Sequence, residues 1–93
     1  MPAEGFAPEA LIGREVVVDT SGQFVYLGRL KSADAHFLEL ADADVHDCTE
    51  GGASKEVYVI DAKKYGVKRN RGTVFVRAAM VVSMSLLSDI IEY

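Results

Sequence analysis

The sequence predicts a mainly β domain, a small, strongly bent, five-stranded antiparallel barrel, on three observations. Five short stretches rich in β-branched and aromatic residues are separated by turn chemistry. The second of them, QFVYLGRLKS, carries Gly28 at its centre, on the side shared by Phe24, Tyr26 and Leu30. A missing side chain in mid-strand lets a sheet fold sharply over that face, as at barrel corners. Finally, 93 residues that are 49% apolar and 26% charged suffice for one thin core and no second domain.

The elements follow in order. Residues 1–7 are small and polar and are expected to be flexible; residues 8–93 form the domain. APEALIG predicts a short N-terminal helix, with Pro8 in its first turn and Gly13 as its stop. EVVVD (15–19) is the first strand, and TSG turns the chain. The second strand ends at SAD (32–34). HFLELADADVHDC is the third, with Leu38 and Leu40 on the face opposite Phe37 and Glu39. An insertion spans about 49–72. Within it, Val57–Ile60 favours a strand, whereas Ser54 as N-cap, Lys63 and Lys64 near a C-terminus and Gly66 beyond them favour a helix over 54–66. TVFVR (73–77) is the fourth strand. MVVSMSLL is the fifth, alternating so that Met80, Val82, Met84 and Leu86 share a side. Such a sheet is a barrel of the SH3 or OB kind.

Composition bounds the function. No apolar run reaches the ~18 residues of a membrane helix, and MPAEGFAPEA has no signal-peptide pattern. Cys48, the one cysteine, has no partner for an intrachain disulfide, so a reducing, cytoplasmic setting is expected. His46, Asp47 and Cys48 lack a second ligand pair, so no metal site is expected. No base, third group and oxyanion hole accompany a nucleophile, so neither catalysis nor a cofactor is expected. The net charge is −4, but it is uneven. Residues 1–54 hold ten acids against three bases, net −7; residues 55–77 are net +5 and residues 78–93 net −2. The basic segment either faces phosphate or meets the acidic DADVHD strand of a neighbouring subunit.

Taken together, LIGREVVVDTSGQFVYLGRLKSADAHFLEL resembles the first motif of the Sm and Sm-like (LSm) family, with Gly22, Gly28 and Asp34 at the family positions. VRAAMVVSM resembles the second motif more loosely. The departures are those of a divergent, bacterial or phage-type member. Phe37 stands at the family's Asn after a one-residue deletion, Ala78 replaces the Gly after Arg77, and the insertion is long.

The resemblance implies a non-catalytic homo-oligomeric ring of about five to seven copies, a ribonucleoprotein component binding single-stranded RNA near its pore. Asp34 would hold the loop, His36 or Phe37 would stack on a base, and Arg77 would supply a guanidinium. Alternatively, Arg77 would pair with Asp34. Lys63, Lys64, Lys68, Arg69 and Arg71 would contact phosphate. The fourth strand (Thr73, Val74, Phe75, Val76) and the fifth (Val81, Val82, Met84) would pair between subunits, because an open sheet leaves edge N–H and C=O groups unsatisfied. The other reading keeps the ring as a protein-interaction scaffold without nucleic acid.

Overall fold

The computed structural model describes residues 8–49 and 54–91. Five antiparallel strands form one sheet: β1 (Glu15–Thr20), β2 (Phe24–Ala33), β3 (Phe37–Asp47), β4 (Arg71–Arg77) and β5 (Val81–Leu86). Their order is β4-β3-β2-β1-β5. The two ends of the sheet, β4 and β5, are not hydrogen-bonded to each other, so the expected barrel is an open, bent sheet with two free edges. The expected N-terminal helix is a single 3-10 turn, Pro8–Leu11. Four residues cannot offset helix nucleation, and Gly13, at φ 89°, turns the chain so that its N–H donates to the Leu30 carbonyl at 2.7 Å. Residues 1–7 lie outside the described residues.

The one α-helix among the described residues is the insertion, α1 (Lys55–Tyr65). Its ends are written locally. Ser54 Oγ accepts from the Val57 N–H at 3.2 Å, and the N–H of Gly66, at φ 95°, donates to the Ala62 carbonyl at 2.8 Å. Glu56 and the Lys63–Lys64 pair match the helix dipole at either end. These capping signals outweighed the β propensity of Val57–Ile60.

Both faces of the sheet carry core. On the inner face Val16, Val18, Leu30, Leu38, Leu40 and Val76 pack together, with Leu11 set against them. On the outer face Val17, Val25 and Leu27 pack under Val59 and Ala62 of α1 and under Leu87. Each fully buried Leu or Val contributes about 1.5–3 kcal/mol relative to exposure.

Gly28 sits where the bend requires it. A Cβ there would lie 3.1 Å from the Ala41 carbonyl oxygen and 3.2 Å from both Cα and Cβ of Ala43. The register with β3 slips at this point, between Leu27 and Arg29, and Asp42 on the other side of the bulge takes φ 51°. The bulge also turns Asp42 and Asp44 to different surroundings. Asp42 pairs with Arg29 at 2.7 Å on the surface, while Asp44 is buried. Asp44 receives hydrogen bonds from the Tyr58 hydroxyl and from Asn70 Nδ2 at 2.8 Å, and the Tyr58 ring stacks on His46 at 3.9 Å. Burial, reinforced by that carboxylate, pushes the Tyr58 phenol well above its usual range.

A second bulge, between Asp19 and Thr20, corrects the reading of β5. Val81, Met84 and Leu86 turn to the core, and Val82 points out, 65% exposed.

Candidate nucleic-acid interface

The bend between β2 and β3 is built on Asp34. Its Oδ1 accepts from the backbone N–H groups of His36 at 2.7 Å and Phe37 at 2.8 Å, and its own N–H donates to the Phe37 carbonyl at 2.9 Å. An aspartate that binds backbone donors two and three residues on fixes a tight turn. Those two bonds hold the Asp34 carboxyl below its usual value. The His36 carbonyl in turn receives the N–H of Ala78 at 2.8 Å, which ties this turn to the end of β4.

Phe37 and Arg77 are direct cross-strand partners. The Arg77 guanidinium carbon lies 6.0 Å from the Phe37 ring centroid, at the limit of a cation–π contact. The alternative pairing of Arg77 with Asp34 is not formed: among the described residues no ion pair joins them, and the Asp34 carboxylate serves its own loop. Phe75 completes the group, its ring edge-on to Phe37 with centroids 6.4 Å apart. Both rings are open to solvent, Phe37 41% exposed and Phe75 61%. A groove of about 570 Å³ opens beside the turn, lined by Asp34, Leu38, Ala78, Val81 and Met84 among others. His36 is exposed at the same turn.

The basic residues expected to contact phosphate do not all converge there. Lys63 donates to the Ile90 carbonyl, and Lys64 lies beside it in the last turn of α1. Arg69 lies 3.8 Å from Asp42, and Arg71 opens β4. Six strand steps at about 3.3 Å put Arg71 roughly 20 Å from Arg77. Within one chain the acidic strand and the basic segment meet through the Asp42–Arg69 ion pair, and Asn70 between the basic residues donates to Asp44.

Sequence reasoning counted Phe75 only as an edge residue. The alternation Thr73, Phe75, Arg77 in β4 was the signal that places its ring beside Phe37. Asn70 gave no signal, because its partners Asp44 and Val45 lie 25–26 residues away in sequence.

The edges expected to pair between subunits carry exposed apolar side chains, among them Phe75 and Val82. Among the described residues no helix is long and apolar enough to cross a membrane.

No family model matches the chain, and no curated protein matches it. Solved structures do. An Sm protein of Pyrococcus abyssii, in complex with a uridine heptamer, superposes with a TM-score of 0.60 at 22% identity, over 92% of this chain and 97% of that one. An Sm-like protein of Archaeoglobus fulgidus gives 0.59 at 16% identity, over 92% and 93%. A chain of the NatC complex bound to CoA gives 0.57 at 20% identity, over 87% and 84%. The bent five-stranded sheet, with its glycine-permitted fold and its aspartate-pinned turn, has the Sm-like fold.

Proposed function

We propose that the chain assembles into a non-catalytic homo-oligomeric ring that binds single-stranded RNA at the Asp34 turn. The observation that carries this is the meeting of Phe37 and Arg77 across the β3–β4 ladder, above a turn that Asp34 locks from its own backbone. An open aromatic face beside a guanidinium that has no ion-pair partner among the described residues suits a base and its phosphate, and each stacked base contributes about 1–3 kcal/mol. The archaeal Sm protein with the same fold was solved with a uridine heptamer. With Phe37 where the family has Asn, the pocket relies on stacking more than on reading the base edge.

The ring follows from the two free edges. β4 and β5 lie at opposite ends of one sheet, so the β4 edge of one copy can pair with the β5 edge of the next. Such head-to-tail pairing satisfies the backbone and closes if the rotation divides a full turn. Rings of five to seven copies then repeat the pocket, and modest contacts sum.

The test is a titration of labelled oligo-U and oligo-A at low salt, with native mass measured before and after nuclease. Binding that falls at least about ten-fold in Arg77→Ala is the expected result. Absence of binding to either oligomer, or full affinity in Arg77→Ala, rejects the RNA pocket. A scaffold without nucleic acid is the second reading, favoured by the fold match to a chain of the NatC complex and by the net charge of −4. A ring that purifies free of nucleic acid and binds neither oligomer supports it.

A further inference from the structure

The outer face of the sheet is covered over only half its extent. Cross-strand pairs mark that face along β2 and β3: Val25 with His46, Leu27 with Asp44, then Arg29 with Ala41. The first two pairs lie under or against α1. Beyond the Gly28 bend α1 no longer reaches, and the face continues bare across β3 and β4. There it presents Phe37, Phe75 and Arg77 at one end, Thr73 in the middle and Arg29 at the other; Arg71, the ladder partner of the inward-packed Ala43, lies at the rim, its guanidinium donating to the Asn70 carbonyl at 2.9 Å.

The charge of this half runs against that of the chain. Arg29, Lys31, Arg69, Arg71 and Arg77 gather on it or at its rim, against the two carboxylates of Glu39 and Asp42. Both acids are already engaged, Asp42 by Arg29 and Arg69 and Glu39 by Lys31 and Ser32. Arg71 and Arg77 have no carboxylate partner among the described residues. An open sheet face with two exposed aromatic rings and a cationic line about 20 Å long is built for a strand that alternates flat bases with phosphates. An acidic peptide would satisfy the arginines but would give the paired rings nothing flat to stack on.

We infer that the bare outer face of β3 and β4 is a single-stranded RNA track, with Phe75 and Phe37 as its stacking platform and Arg71 as its far phosphate anchor. This rests on the RNA-binding reading above and extends it from a turn to a surface. Strand pairing between copies uses the β4 backbone and leaves its outward side chains on this face.

The experiment compares wild type, Arg77→Ala, Phe75→Leu, Arg71→Gln and Thr73→Glu in titrations of labelled oligo-U and oligo-A across a salt series, with native mass confirming each assembly. Phe75→Leu should weaken binding about ten-fold without altering the salt dependence. Arg71→Gln should flatten the slope of log affinity against log salt by about 0.7, the share of one phosphate contact on a single strand. Thr73→Glu, a new charge in mid-track on an exposed position, should weaken binding most at low salt and flatten the salt slope, because added salt screens the new repulsion. If wild type binds and only Arg77→Ala fails, RNA is confined to the turn; the track is refuted while the RNA reading stands. If wild type binds no RNA, both fall. If poly-glutamate competes as well as RNA and depends equally on Phe75, the face takes acidic peptides and the track is refuted.

Discussion

Replacing Gly28 by alanine puts a methyl group into the closest approach of two strands. The new Cβ would stand 3.1 Å from the Ala41 carbonyl oxygen and 3.2 Å from Cα and Cβ of Ala43. None of the three atoms can swing away, since two are backbone and the third is fixed to it. Relief requires β3 to shift at the bulge, where Asp42 already occupies φ 51° and is tied to Arg29. Overpacking of a tight site costs about 1–3 kcal/mol. Alanine offsets about 0.4–1 kcal/mol of that by restricting the unfolded chain. The net expectation is a loss of about 1.3 kcal/mol, or a fall in melting temperature of roughly 5–10 °C for a domain of this size. Far-UV circular dichroism in urea and on heating measures it, at one protein concentration because assembly also stabilises. Gly28→Val should cost more. A midpoint equal to or above wild type would refute the claim that close backbone approach, and not chance, selects glycine here.

Tyr58→Phe should cost about 1–3 kcal/mol in the same urea melt, because Asp44 is left buried with one donor fewer. Ser54→Ala should lower stability by about 1 kcal/mol through loss of the N-cap of α1, seen as an earlier urea midpoint with unchanged m-value. Asp34 binds its proton less readily when folded than when unfolded, since the N–H groups of His36 and Phe37 stabilise its charge. Its contribution is therefore complete above the usual aspartate value and is lost as pH falls through the lowered one. Amide signals of His36 and Phe37 in a pH titration should hold through neutral pH and broaden only in that acidic window; broadening near pH 6 would contradict this.

Much of this protein was legible from neighbouring residues alone. β-branched runs and turn residues located all five strands within a few positions, since strand propensity and turn chemistry act over a few residues. Ser54 and Gly66 marked the ends of α1 for the same reason: a cap bonds to groups three or four residues away. Asp34, Phe37 and Arg77 were nameable through the resemblance of their two motifs to the Sm-like family; that Phe37 and Arg77 face each other directly was decided by the β3–β4 register. What the sequence could not reveal was decided by contacts between distant segments. The bulge opposite Gly28 separates Asp42 from Asp44, and the one at Thr20 sends Val82 outward; both arise where strands from different parts of the chain press together. Whether a cation joins the turn or lies some 20 Å along β4 depends on where the sheet places it, not on its spacing in the chain. The bare half of the outer face exists because an eleven-residue helix is too short to cover a long sheet beyond its bend. Local hydrogen bonding set the elements of this protein; the packing of one strand against another set which of their faces met water.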